Sequence, residues 1–203
     1  MACADHVYTA FGVGDMSAEE IAQNLRWALC CSDGVLLTDV DGNDEIAANL
    51  NDEALVQVSG RTGTGLARDL ACGTVTMFGS TGDEVGAGMT GGSVVVRGDA
   101  GERAGAGMSG GSLLVLGDIG AHVGLNMTGG CIYVRRQFAP AAAAKTTVTP
   151  AAGDIELAAM LAHHTGEYAE GPGVYNEFYD LDAMAQKCLP LTAEFARITA
   201  DLP

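Results

Sequence analysis

Three consecutive lines of sequence decide the fold: GSTGDEVGAGMTGGSVVVR from Gly79, GDAGERAGAGMSGGSLLVL from Gly98 and GDIGAHVGLNMTGGCIYVR from Gly117. Equivalent glycines and methionines recur every 19 residues along these lines. A looser copy, GRTGTGLARDLACGTVTMF, begins at Gly60 and has Leu70 in the methionine position. A short and strict period of this kind is typical of stacked coils, so the repeat predicts a solenoid.

Each repeat ends in a predicted strand, and the alternation of its side chains predicts which face is buried. Stacking equivalent residues about 4.8 Å apart gives an inner ladder of Met89, Met108 and Met127. The predicted fold is all-β: a single-stranded, right-handed parallel β-helix of about five to seven coils with helical caps at both ends. The strand residues expected to point inward are Val75 and Met77, Val94 and Val96, Leu113 and Val115, and Ile132 and Val134.

The glycines of the repeat are interpreted as backbone geometry. A G-x-x-G stretch is assigned to a corner, because glycine reaches positive φ without steric cost. In the third copy of the following G-x-G, asparagine replaces the second glycine, and asparagine also tolerates positive φ. The G-x-G-x-x-G match to dinucleotide sites is rejected, because a strand follows where such a site needs a helix. The motif residues are Gly86, Gly88 and Met89, then Gly105, Gly107 and Met108, then Gly124, Asn126 and Met127.

These repeats, of the form G-x-x-x-G-x-G-M-[ST]-G-G, resemble the GXGXG domain. That domain forms the C-terminal β-helix of the glutamate synthase large chain, and a related domain forms the scaffold subunit of formylmethanofuran dehydrogenase. The preceding stretch, DMSAEEIAQNLRWAL with GVLLTDVDGNDEIAANL, is similar to the lead-in of the glutamate synthase domain. The resemblance covers residues 15–136 well and residues 154–203 weakly.

The resemblance implies a function without catalysis in this chain. The chain would be a structural subunit of a glutamate synthase-type oxidoreductase complex, with no cofactor of its own. Its partners would be an amidotransferase (glutaminase) chain and a chain that carries FMN and iron–sulfur clusters. Two alternatives stay open: the scaffold subunit of a formylmethanofuran dehydrogenase-like complex, and a β-helix enzyme acting alone. The last alternative needs a histidine or carboxylate cluster on one coil face, and the repeats contain none.

The flanks of the repeat predict how the solenoid ends. Ser17 followed by Glu20 is a capping box that begins the first helix. The low-complexity stretch FAPAAAAKTTVTPAAG predicts a linker. The later part predicts helices over Asp154–His164, Leu181–Lys187 and Leu191–Ile198. The predicted division is therefore an N-terminal helical cap over 1–34, the β-helix over 35–137, the linker over 138–153 and a C-terminal helical tail over 154–203.

Composition excludes several classes of function. The chain has 26 acidic against 10 basic residues and a net charge of −16, so it lacks the basic face that nucleic acid or an anionic membrane requires. No segment approaches the roughly 18 apolar residues of a membrane span. Met1–Ala10 lacks the pattern of a signal peptide, and we expect a cytoplasmic protein. The six cysteines are then thiols, with Cys72 and Cys131 as small packing residues.

Few residues could carry chemistry. His163 and His164 are the best metal candidates, but neighbouring residues on a helix point about 100° apart. Cys3 is rejected as an amidotransferase nucleophile, because it follows Ala2 and nothing around it resembles that domain. Repeated corner residues such as Asp99 and Asp118 are interpreted as solvated carboxylates. We therefore predict no catalytic, cofactor-binding or metal-binding residue.

One surface is a candidate interface. Val95, Leu114 and Tyr133 occupy equivalent outward positions on neighbouring coils and form an apolar stripe. An exposed stripe of this kind usually marks a contact with another chain. The alternative is that the chain's own C-terminal helices cover it.

Overall fold

The fold is that of a computed structural model, which describes residues 8–138, 146–170 and 181–201, apart from the side chains of 138, 163–170 and 181–183. Its strands form one nine-stranded sheet in the order β1-β2-β3-β4-β5-β6-β7-β9-β8. Two short 3₁₀ helices span Arg136–Phe138 and Leu189–Glu194. The strands and α-helices are β1 (Tyr8–Gly12), α1 (Ala18–Leu29), β2 (Gly34–Asn43), β3 (Leu55–Thr62), β4 (Thr74–Met77), β5 (Thr90–Val96), β6 (Ser109–Val115), β7 (Gly129–Arg135), β8 (Thr146–Pro150), α2 (Ile155–Glu170), α3 (Leu181–Cys188) and β9 (Phe195–Ala200).

Strands β1 to β7 pair in parallel and in sequence order, so each coil contributes one strand to the sheet. The register follows the repeat, with Val75 opposite Val94, Val94 opposite Leu113 and Leu113 opposite Ile132. About five turns stack in this way. The predicted parallel β-helix is therefore confirmed.

The core is a column of equivalent side chains. Met89, Met108 and Met127 are buried in one hydrophobic cluster with Leu70, which occupies the same position one coil earlier. The strand residues predicted to point inward are buried in the same cluster. Each coil therefore covers the apolar side chains of its neighbours, as a solenoid requires.

The G-x-G turns have the predicted backbone geometry. Gly86, Gly88, Gly105, Gly107 and Gly124 have φ between 63° and 72°, and Asn126 has φ of 59°. The position two residues before the first glycine also has positive φ, although glycine does not occupy it. Its occupants are Glu84 (61°), Arg103 (58°) and His122 (61°). Nothing in the residue types marks this position, so its positive φ could not be predicted from the sequence.

The corner glycines owe their place to crowding, and the predicted reason was wrong. Gly79, Gly98 and Gly117 are not among the residues with positive φ. A Cβ on Gly79 would overlap the carbonyl oxygen of Gly60 one coil below, and a Cβ on Gly117 would lie 2.6 Å from the carbonyl carbon of Gly98. Glycine is needed at these corners because successive backbones approach too closely for any side chain.

The N-terminal end is closed by a helix and a strand. Helix α1 begins at the predicted capping box: Ser17 Oγ accepts from Glu20 N (3.4 Å), and Ser17 N donates to Glu20 Oε2 (2.9 Å). The helix buries Ile21, Leu25 and Ala28 in the core. The predicted cap over 1–34 was described as helical only, but it also contains β1, which pairs with β2.

The C-terminal end differs most from the prediction. Strand β8 lies inside the stretch predicted as a linker, and β9 replaces the second half of the helix predicted over Leu191–Ile198. Strand β9 pairs antiparallel with β7, and β8 pairs antiparallel with β9. Together they satisfy the backbone groups at the edge of the last coil, which would otherwise invite aggregation. Helix α2 also extends beyond His164 to Glu170.

Candidate functional site

The apolar stripe is covered by the chain itself. Tyr133 and Leu114 are 0% exposed and Val95 is 5% exposed. They belong to a second hydrophobic cluster that includes Leu157 of α2 and Phe195 of β9. The candidate interface is therefore closed in this fold, and the alternative of cover by the C-terminal part of the chain holds. Residues 146–170 and 181–201 are called the cover.

A set of polar side chains lies where the cover meets the coils. We call it the Tyr133 cluster; its members are Ser112, Cys131, Tyr133, Asp154, Glu156 and Arg197. The Tyr133 hydroxyl lies 3.1 Å from Glu156 Oε2 and 3.3 Å from both carboxylate oxygens of Asp154. The Ser112 hydroxyl donates to Glu156 Oε1. The phenol has one hydrogen to donate, and the shortest of these contacts assigns it to Glu156.

Arg197 connects both sides of the cluster. Its Nη1 lies 3.3 Å from Asp154 Oδ2, while its Nε and Nη2 donate to Cys131 Sγ at 3.2 and 2.9 Å. Asp154 in turn begins α2, because its Oδ1 accepts from the backbone N–H of Leu157 (3.1 Å). Cys131 was predicted as a small packing residue, and the structure adds that its sulfur accepts from a guanidinium.

Electrostatics keep the Tyr133 hydroxyl protonated. Burial raises the pKa of Tyr133 far above its ordinary value, and the nearby Cys131, Glu156 and Asp154 raise it further. The hydrogen bond to Cys131 raises the pKa of Arg197. A phenol in this state is a hydrogen-bond donor and not a base. The cluster is therefore suited to fixing α2 and β9 against the coils.

The corner carboxylates do more than face solvent. Asp99 N donates to Ser80 Oγ (3.0 Å), and Asp118 N donates to Asp99 Oδ1 (2.8 Å). Glu102 N donates in the same way to Asp83 Oδ1 (2.8 Å). Each of these side chains satisfies a backbone N–H of the next coil, 19 residues further along the chain. The prediction of purely solvated carboxylates was therefore incomplete.

Charged side chains occupy the position two residues before each G-x-G turn, and they form a row across neighbouring coils. Glu84 forms ion pairs with Arg68 of the coil before it and with Arg103 of the coil after it (2.8 Å). His122 Nδ1 lies 4.0 Å from Glu102 Oε2, and both side chains are well exposed. The exposed pair of His122 and Glu102 adds little to stability, whereas Glu84, whose side chain is 19% exposed, is held between two arginines.

The described residues contain no group of three or more His, Cys, Asp or Glu that could hold a metal ion. His163, His164 and Cys3 lie outside the residues whose side chains are described. A cavity of about 20 Å³ lies between α1 and the first coil, lined by Leu25, Arg26, Asn49 and neighbouring residues. That volume suits about one water molecule. No described helix is long and apolar enough to cross a membrane.

Comparison with known proteins does not supply a family. No model of a protein family matches the chain, and no curated protein matches it. The likeness to the GXGXG domain therefore depends on the repeat residues themselves. It remains a resemblance.

Proposed function

We propose that this chain is a non-catalytic structural subunit of a glutamate synthase-type oxidoreductase complex in the cytoplasm. In this role it is a rigid spacer that packs against an amidotransferase chain and against a chain that carries FMN and iron–sulfur clusters. The chain itself binds no cofactor. The observation that carries the proposal is the repeated motif, because its glycines and Asn126 have positive φ and are therefore accounted for by backbone geometry.

The polar residues support a structural role. The carboxylates of Asp83 and Asp99 accept backbone N–H groups of neighbouring coils. Asp154, whose side chain is 12% exposed, is engaged by Arg197 and by the N-terminus of α2. An acid or base catalyst has to reach a substrate in a cleft. Because these carboxylates already accept hydrogen bonds within the fold, they support a structural role over a catalytic one.

Rigidity is the property that such a protein would contribute. The ladder of Met89, Met108 and Met127 and the continuous register of β1 to β7 leave the coils few alternative arrangements. The net charge of −16 supports docking on partner chains that are less acidic, since complementary charge accelerates association. The apolar stripe is closed, so partner contacts would use other surfaces of the coils.

The test is capture of the tagged chain from its native source, followed by identification of the chains that remain bound. Recovery of an amidotransferase or of an FMN and iron–sulfur protein is the expected result. Glu102→Gln, at an exposed corner, is the matched control and should capture the same chains. Met108→Asp, which disrupts the coils, should capture none. Adding the purified chain back to partners depleted of it should restore glutamine-dependent amination of 2-oxoglutarate.

Two results would contradict the proposal. The first is spectrophotometric binding of FMN by the purified chain, or glutamate formation by the chain alone. The second is capture of a molybdopterin-containing chain in place of the expected partners. That second result would favour the alternative function, the scaffold subunit of a formylmethanofuran dehydrogenase-like complex.

A further inference from the structure

Negative charge is concentrated near the start of the chain. Residues 15–53 contain ten acidic residues and one basic residue, Arg26, so their net charge is −9. The rest of the chain contains 16 acidic and 9 basic residues, so its net charge is −7. More than half of the total of −16 therefore belongs to 39 of the 203 residues. We call the ten residues the acidic group; they are Asp15, Glu19, Glu20, Asp33, Asp39, Asp41, Asp44, Glu45, Asp52 and Glu53.

The whole acidic group is exposed on α1 and the first coil. Its residues lie before and on α1, on β2 and in the loop between β2 and β3. Asp52 lines the same small cavity as Arg26, so the loop that contains Asp52 and Glu53 lies beside α1. No three of the described acidic, cysteine or histidine residues are placed to hold a metal ion. The charge is therefore spread over a surface, which suits an extended surface of opposite charge.

A large apolar side chain is exposed among these charges. Trp27, the only tryptophan of the chain, is 72% exposed on α1. Tryptophan is highly buried on average, so this exposure is informative. Glu20 lies two helical turns before Trp27, on the same face of the helix. The apolar side chain is thus bordered by the acidic group.

Helix α1 presents Trp27 on a rigid element. The capping box fixes its first turn, and Ile21, Leu25 and Ala28 anchor it in the core. The side chain of Asn43 donates to Gly14 O (3.1 Å), so the connection before α1 is tied to the first coil. A helix that is already ordered loses little conformational entropy when a partner binds it. Tryptophan is also enriched among the residues that contribute most to binding energy.

We propose that the acidic group and Trp27 form a docking surface for a partner protein that has a basic face. Such a partner would offer an apolar pocket for the indole ring, surrounded by lysine and arginine side chains. An arginine stacked on the ring would add a cation–π contact. The inference deepens the proposed function and rests on it for the existence of a partner chain.

The sign of the charge separates this occupant from the others. Nucleic acid and anionic membranes carry phosphates, which the acidic group repels. A second copy of this chain has a net charge of −16 and is repelled as well. A protein with an excess of lysine and arginine is attracted, and complementary charge accelerates and orients its approach.

The test measures binding to the partner chain that the tagged wild type captures from its native source. That chain is identified, purified and titrated by surface plasmon resonance at several salt concentrations. The wild-type Kd should rise with salt, because salt screens exposed charges. Trp27→Ala should raise the Kd about tenfold or more. Glu20→Gln combined with Glu53→Gln should raise it about threefold and reduce its salt dependence, while glutamine at position 20 keeps the capping box.

Two substitutions elsewhere are matched controls. Ile155→Ala removes an apolar side chain that is 73% exposed in the cover, and Glu102→Gln removes an exposed charge from a coil corner. Both should leave the Kd unchanged. Carbodiimide, which joins a carboxylate to a lysine amine, should cross-link residues 15–53 to the partner. Thermal melts establish that each variant is folded.

The results distinguish this inference from the proposed function. Capture of an amidotransferase or FMN chain whose Kd is insensitive to Trp27→Ala or to salt would overturn the docking surface and leave the proposed function standing. Capture of another identified protein, with a Kd that both salt and Trp27→Ala raise and with cross-links to residues 15–53, would support the docking surface and contradict the proposed function. Capture of no protein at all would overturn both.

Discussion

The coils of residues 79–135 and the cover are stabilised by different kinds of contact. In the coils, each inward side chain packs on its own counterpart 19 residues away, as Met108 packs between Met89 and Met127. In the cover, each contact is unique: Arg197 reaches Cys131, and Glu156 reaches Ser112 and Tyr133. A substitution in a coil therefore disturbs the equivalent side chains of the neighbouring coils. A substitution in the cover disturbs only the one contact that the side chain makes.

The two regions also differ in how they stabilise their backbone. The coils use glycine, either at positive φ or where two backbones nearly touch. The cover uses side-chain hydrogen bonds at the start of α2 and in the Tyr133 cluster. Four predictions, in decreasing order of expected effect, test whether the two regions respond as differently as these contacts indicate.

Met108→Asp should have the largest effect. It places a carboxylate between two buried methionines with no cation beside it, which costs about 3–5 kcal/mol or prevents folding. Denaturant unfolding monitored by circular dichroism measures the change. Glu102→Gln, at an exposed corner of the same coil, is the control and should change the free energy of unfolding by less than about 0.5 kcal/mol. Equal unfolding midpoints would show that the methionine column is not the core.

The two classes of coil glycine should differ in sensitivity to alanine. Gly79→Ala places a methyl group against the carbonyl of Gly60 and should cost about 3 kcal/mol. Gly107→Ala finds no atom closer than 4.0 Å, so only the positive φ of 70° opposes it, at roughly 1–2 kcal/mol. Thermal melts of both variants decide the order. A larger loss of thermal stability for Gly107→Ala than for Gly79→Ala would show that positive φ is the main reason for glycine in the repeat.

Arg197→Met should affect the cover and leave the coils intact. It keeps an unbranched apolar stem but leaves the mostly buried Asp154 without its cation, at a cost of about 1–3 kcal/mol. Hydrogen exchange should accelerate at the amides of α2 and β8, with β4 to β6 unchanged. Arg103→Met is the control and should accelerate neither region, because its partner Glu84 keeps the ion pair with Arg68. Faster exchange throughout the coils would mean that cover and coils unfold together.

The pH dependence of Tyr133 should give the smallest effect. Tyr133→Phe loses one hydrogen bond and should lower stability by about 1 kcal/mol at neutral pH. The pKa of Tyr133 is raised in the fold, so the contribution of its protonated hydroxyl is complete below the ordinary value of 10.0 and decreases as the pH rises above it. The wild type should therefore lose its advantage over Tyr133→Phe above about pH 10. A constant difference in unfolding free energy between about pH 8 and pH 11 would contradict this.

In the coils, predictions were correct where only one physical reason explains why a residue type occurs at a position. Asn126 in a glycine position predicted positive φ, and the methionine period predicted the core. The corner glycines were located correctly, but the predicted reason was wrong. A close approach between coils selects glycine just as positive φ does, so the two causes look alike in the sequence. Positive φ at Glu84 was missed, since the stack imposes it on a residue that does not favour it.

The predicted features of the cover failed where the outcome depended on a distant partner. The stretch around Phe195 has some helical periodicity, and it forms a strand because the edge of β7 offers it backbone hydrogen bonds. Asp154, Glu156 and Arg197 were not singled out, because their partners lie 21 to 66 residues away. The apolar stripe of Val95, Leu114 and Tyr133 was found from sequence together with two possible occupants, another chain or the C-terminal helices, and the structure shows that the C-terminal part covers it.

The sequence by itself determined the period of the coils, the side chains that point inward and the capping box of α1. Each of these follows from interactions within one repeat or one helical turn, or from repetition of identical units, so the pattern is visible along the chain. Only the tertiary structure decided which segment covers the stripe, that β9 and β8 close the last coil, and that Arg197 joins Cys131 to Asp154. These contacts occur once and link residues far apart in the chain, and no local preference encodes such a pairing.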